Sequence, residues 1–130
     1  MAAGPLPEGG HRLPHSRRIT RDAEIRGIFR RGKRSGTAHL DVFDSASPVA
    51  HPRVGVVVPK HRHTVVERNR LKRRIRETLR IEVLPRLAGL GSPVDVLVRA
   101  RREAYDASFT QLRDELVRWV ERRCSRDSSS

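Results

Sequence analysis

Val54 to Arg80 reads VGVVVPKHRHTVVERNRLKRRIRETLR, and this stretch decides the fold. Its first five residues, Val54 to Val58, are apolar toward both sides, which predicts a strand covered on both faces and therefore central. Pro59 ends the strand, because proline cannot donate to a ladder. Thr64 and Glu67 then stand in T-x-x-E spacing, which predicts a capping box opening a long helix. Leu71, Ile75 and Leu79 recur every fourth residue as one apolar stripe, with Val83 on its flank. The helix is expected to run to about Leu84, where Pro85, Gly89 and Gly91 stop it. A covered strand feeding an amphipathic helix means a sheet with helices packed on it.

The flanks extend this reading. Toward the N-terminus, Ile19 to Arg31 predicts a short helix, with Thr20 as cap, Asp22 and Glu24 in the first turn, and Gly32 after its end. Ile25, Ile28 and Phe29 share one of its faces. Ala38 to Phe43 alternates as a half-exposed strand, Leu40 and Val42 on one side and His39, Asp41 and Phe43 on the other. Asp44 to Pro52 reads as a hairpin-like connection. Toward the C-terminus, Val94 to Ala100 is a third clear strand. Ser108 and Gln111 pair as a second capping box, opening a helix to about Arg123 with Phe109, Leu112, Leu116 and Val120 as its buried stripe. Residues 1–18, rich in Gly, Pro, His and Arg without periodicity, read as a mobile basic arm. Residues 19–124 form a single domain, and 125–130 a polar tail.

Composition narrows the partner. The 130 residues hold 28 Lys+Arg against 15 Asp+Glu, a formal charge of +13. Cys124 is the single cysteine, which excludes a disulfide framework and fits a reducing cytosol. No apolar run approaches a membrane span, and the N-terminus lacks the apolar stretch of a secretory signal, so a cytoplasmic protein is expected. The charge is not diffuse: residues 1–36 carry +6 and residues 60–80 carry +7. In the long helix Asn69, Lys72, Arg73, Arg76 and Arg80 fall opposite the apolar stripe, with few carboxylates at i±4 to pair them. Like charges at that spacing repel, so the row makes sense against a polyphosphate. There is neither a helix-turn-helix spacing nor a dimer heptad. RNA binding often adds aromatic platforms, and Phe29 and Phe43 lie near basic segments, although core packing competes for each.

The same stretch closely resembles the signature of the bacterial ribonuclease P protein component. The R-N-R-x-K-R-x-x-R-E motif stands here as Arg68, Asn69, Arg70, Lys72, Arg73, Arg76 and Glu77. A first helix ending in a phenylalanine and then a basic-Gly-basic turn matches Phe29 to Lys33, and the resemblance spans roughly residues 12–123. It implies an α+β (two-layer α/β) ribosomal-protein-like fold of order α-β-β-β-α-β-α, with a four-stranded sheet and a left-handed βαβ crossover. The fourth strand would then be a short piece near Ser35–Ala38. It also implies a subunit of an endoribonuclease that removes the 5′ leader of precursor tRNA, the catalytic centre and its Mg²⁺ belonging mainly to an RNA partner. Arg68, Arg70 and Arg74 would contact that catalytic RNA. Phe29, Phe43, Val57, Lys60, His61, Asn69, Lys72, Arg73 and Arg76 would border the cleft for the leader.

This chain departs from the pattern in two places. Ile25 stands where the family has a second aromatic, which removes one stacking surface. A strand end usually S-x-S-K-K reads Val57, Val58, Pro59, Lys60, His61, so two hydroxyls and one fixed charge are missing from the expected leader path. No catalytic or metal-ligating residue is expected: His61 and His63 lack a third ligand, Cys124 lacks an activating base, and the aspartates are scattered. A generic RNA-binding protein of similar fold, or adhesion to anionic membrane, are the competing readings of the charge. The second is disfavoured because the helices need their apolar faces for the core.

Overall fold

The computed structural model describes residues 13–129. Helix α1 (Asp22–Arg31) leads into strands β1 (Lys33–Gly36), β2 (Leu40–Ala46) and β3 (Arg53–Val57). Helix α2 (Val65–Thr78) passes through a wide π turn (Leu79–Val83) into α3 (Leu84–Leu87), then β4 (Val94–Ala100) and α4 (Phe109–Ser129). The sheet order is β1-β2-β4-β3. β1 with β2 and β2 with β4 are antiparallel, while β3 and β4 are parallel, joined through α2. The expected four strands and their order relative to the helices are thus present.

Alternation assigns each side chain to a layer. Leu40, Val42, Val54, Val96, Val98 and Ala100 pack with Leu71, Ile75 and Leu79 of the α2 segment and Leu112, Leu116, Trp119 and Val120 of α4 in the main core. On the opposite face, Phe43 and Leu97 pack with Ile19 and Ile28, flanked by Ile25, Phe29 and Val57. Because α1 roofs this second face, β2 is not half-exposed: Leu40 through Asp44 are all buried.

β3 is an edge strand rather than the central one. Its apolar residues report that both faces are covered, which α2 and the Ile19 segment do without a strand on each side. That segment lies along β3, with Arg18 bridging Val54 and the Ile19 amide donating to the Val54 carbonyl at 2.9 Å. Gly55 permits the approach: a Cβ there would stand 3.0 Å from the Ile19 carbonyl oxygen and 3.0 Å from Leu97. The inner strands are β2 and β4 instead. Consequently the expected 44–52 connection is not a hairpin: Asp44 to Ala46 continue β2, and residues 47–52 make the crossing. They carry the chain past the end of β4, where the Ser47 amide donates to the Pro93 carbonyl at 3.0 Å.

The helix ends also differ from expectation. α1 starts at Asp22 with Arg21 at the cap position and no side-chain cap, because the Ile19 bond keeps the chain extended past Thr20. Pro85 does not stop the long helix; the π turn precedes it and Pro85 enters the first turn of α3, where its missing N–H costs least. The π turn also corrects phase. Four residues of α-helix overshoot one turn by about 40°, and the wider turn brings Val83, Leu84 and Leu87 back to the core. Phe109 is exposed rather than in the α4 stripe, being the first residue of that helix. Helix α4 runs to Ser129 through the expected tail, which has no Gly or Pro to end it. Of the expected mobile arm, residues 13–18 are seated on the fold, with Leu13 buried and a 3₁₀ turn at His15–Arg17. Residues 1–12 lie outside the described residues.

Candidate nucleic-acid interface

α2 presents its cations on a frame set at its start. The Glu67 amide donates to Thr64 Oγ1 at 3.1 Å and the Thr64 amide donates to the Glu67 carboxylate at 2.8 Å, the capping box read from the sequence. The preceding turn takes left-handed backbone at His61 (φ 46°) and Arg62 (φ 70°), unfavourable for non-glycine residues. Tyr105 holds that turn from below: its hydroxyl donates to the Pro59 carbonyl at 2.7 Å, and the His63 ring stacks on it with centroids 3.6 Å apart. His63 is thus committed to the turn, while Lys60 and His61 are exposed.

With Leu71 and Ile75 buried, Asn69, Arg70, Arg73 and Arg74 are exposed and Arg68, Lys72 and Arg76 half-buried. Among the described residues, none of these six cations forms an ion pair, whereas Arg80 pairs with Glu77. Burial pushes the Lys72 ammonium below its ordinary pKa, and the charges of Arg76, Arg68 and Arg18 push it the same way. Burial, then Arg18, likewise lowers Arg76. Arg68 Nε is buried without a hydrogen-bond partner. Cations crowded together and partly dehydrated repel one another, and an anion entering among them relieves that repulsion.

The predicted residues fall into separate places. Lys72 and Arg76 line a recess of about 140 Å³ together with Arg18, Ile19, Ile25 and Gly55. Arg70 and Arg74 line another, of about 170 Å³, on the far flank beside Glu67, Tyr105 and Asp106. Arg68, grouped with Arg70 and Arg74 by the resemblance, stands between the two recesses, acting electrostatically on both Lys72 and Tyr105. Asn69 and Arg73 are exposed on α2, and Lys60 and His61 line neither recess.

Phe29 and Phe43 lie beyond Ile25 on the α1 face, packed edge-to-face with centroids 4.9 Å apart, and Val57 packs against the same cluster. Phe43 is only 4% exposed, so it is chiefly core. The Arg99 guanidinium sits 5.1 Å from the Phe29 centroid and 5.2 Å from that of Phe43. Arg18 and Arg99 are the residues that sequence reasoning missed. The alternation of VDVLVRA could have found Arg99, since it shares the Leu97 face. Arg18 had no local signal, because it reaches Lys72 and Arg76 only through the pairing of its segment with β3.

The chain matches the family described as Ribonuclease P across residues 13–123. It belongs to the ribonuclease P protein family. The ribonuclease P protein component of Methylococcus capsulatus is 35% identical over 129 residues, covering 96% of this chain and 97% of the relative. That of Micrococcus luteus is 40% identical over 115 residues, covering 81% and 86%. Among solved structures, the ribonuclease P protein of Staphylococcus aureus superposes with a TM-score of 0.67 at 26% identity, covering 81% of this chain and 93% of that one. The Thermotoga maritima ribonuclease P protein, at 24% identity and a TM-score of 0.65, agrees with the fold and covers 81% and 96%.

Family membership makes the chain a subunit of ribonuclease P. Whether its own residues fit a bound Mg²⁺ can be tested on the carboxylates. Mg²⁺ needs oxygen ligands in octahedral array. Asp41 is taken by Arg34 and Arg99, Asp95 by Arg53, and Asp44 by Arg123. Among the described residues no group of three or more His, Cys, Asp or Glu is placed to hold an ion. Among the described residues, then, the side chains do not fit an inner-sphere Mg²⁺ site. Nor is any helix among the described residues long and apolar enough to cross a membrane.

Proposed function

We propose that this chain acts within ribonuclease P as an RNA-positioning subunit without a catalytic group of its own. It binds the catalytic RNA and the 5′ leader of precursor tRNA, in the cytoplasm, while RNA-held Mg²⁺ drives removal of the leader. The row of unpaired cations on α2 is the observation that supports this reading most. A folded chain that merely needed solubility would have no reason to crowd Arg68, Lys72 and Arg76 where burial and mutual repulsion work against them. A polyanion supplies the missing counter-charge and releases its own counterions. On this reading Lys72, Arg73, Arg76 and Asn69 meet the leader, and Arg70 and Arg74, on the other flank of α2, meet the catalytic RNA together with Arg68. Phe29 and Val57 wall the leader path, with Phe43 buried beneath them.

Reconstitution with the host's catalytic RNA tests it. The chain alone should leave precursor tRNA intact, and adding it to the RNA should lower the Mg²⁺ concentration needed for cleavage and favour precursor over mature tRNA. Cleavage by RNA-free protein, or an unchanged Mg²⁺ requirement, would overturn the proposal.

A further inference from the structure

We propose that Arg99 is a leader-contacting residue, and that by lying over Phe29 and Phe43 it turns an aromatic stacking surface into one that grips phosphate. This rests on the functional reading above and assigns a role to a residue outside the α2 motif.

Register places Arg99 of β4 opposite Asp41 of β2. Asp41 is buried, and its two oxygens accept from Arg34 and Arg99, each at 3.1 Å, with Arg101 Nε 3.8 Å away. Three guanidiniums around one carboxylate leave the cluster with two positive charges in excess. Arg99 is 38% exposed and Arg34 61%, so donors remain turned outward. A guanidinium has five N–H donors, and Asp41 occupies one of those on Arg99. Beneath, Phe43 offers no open ring face, and the half-buried Phe29 is capped by the same guanidinium. A base cannot stack on either ring at that position without displacing Arg99. A planar cation held in place over aromatic rings is well formed for a phosphate fork. The leader is then held through its backbone at this point, tolerantly of sequence and sensitively to salt.

The test uses the holoenzyme reconstituted with its catalytic RNA. Affinity is measured for mature tRNA and for precursors with purine-rich or pyrimidine-rich leaders, over a range of salt. Arg99→Ala should lower the slope of log affinity against log salt by about 0.7, one single-strand phosphate contact. It should also create a difference between the two leader compositions, because the rings are uncovered. Arg99→Lys leaves Asp41 a cationic partner, so it separates unfolding from a lost contact. It should keep the slope and still acquire the composition response. A precursor preference that survives Arg99→Ala with slope and composition response unchanged would overturn this assignment alone. Equal binding of precursor and mature tRNA by the unaltered holoenzyme would overturn the functional reading, and this one with it.

Discussion

The arginines of the sheet and those of α2 live in opposite surroundings. Arg53 on β3 is almost buried, forking onto Asp95 at 3.1 and 2.7 Å and reaching Glu24 at 3.2 Å. The bond to Asp95 raises its pKa despite burial. On α2 the sign is reversed: burial and neighbouring cations lower Lys72 and Arg76. The same charge type therefore does two jobs. A guanidinium whose counter-charge comes from the chain ties β3, β4 and α1 together. One whose counter-charge is missing is, on the proposed function, left for RNA to satisfy.

Removing the chain's own counter-charge should show the difference most strongly. Asp95→Ala leaves the buried Arg53 guanidinium only the half-buried Glu24 and should cost about 3 kcal/mol of stability, read from urea unfolding. A loss below about 1 kcal/mol would mean the pair is not structural, and the contrast with α2 would collapse.

Acid attacks the same class of contact. Burial pushes the Asp41 carboxyl up, but hydrogen bonds and charge from Arg99, Arg34 and Arg101 outweigh it and hold the group below its ordinary value. Glu115 behaves alike: burial raises it, while Thr37 Oγ1 at 2.6 Å, the His39 amide at 2.9 Å and the His39 ring bring it lower. Folded-state values depressed below unfolded ones mean stability that is full above the carboxylate range and lost as pH falls through it. Thermal midpoints should therefore drop below about pH 4, and Glu115→Gln should flatten part of that slope. An unchanged slope would remove Glu115 from the account.

Thr64→Ala should cost about 1 kcal/mol by removing the capping box. This would show that α2 is held by its cap and apolar stripe and not by its cations. The smallest change in stability is expected from Lys72→Gln with Arg76→Gln. Relief of repulsion should leave the stability level or slightly raised, by a few tenths of a kcal/mol per like-charge pair. Binding to the catalytic RNA and precursor should weaken and lose about 0.7 of salt slope per lost single-strand contact. Marked destabilisation by that double variant would make the row structural.

Legibility followed the range of the forces involved. The α2 cap, its Leu71–Ile75–Leu79 stripe and the Val94–Ala100 strand were readable because each depends on neighbours within a few residues. The motif from Arg68 to Glu77 likewise announced the basic face. Phe109 was misplaced because an apolar residue in the right phase still needs a neighbour to cover it. The helical tail after Arg123 was hidden because Ser and Asp suggest a loop without forbidding a helix.

By itself, then, the sequence determined most of the elements, the alternation of side chains along them, and the crowding of cations on one helix, since these follow from local periodicity and steric preference. Tertiary structure decided which strand lies at the centre, because strand order is settled by long-range pairing that apolar runs do not encode. It also decided which charges are satisfied. Arg53 meets Asp95 and Arg99 meets Asp41 only through sheet register, and Arg18 joins Lys72 and Arg76 only because Ile19 is pinned beside Gly55. Charge is written in the chain, but counter-charge is a matter of who is adjacent after folding.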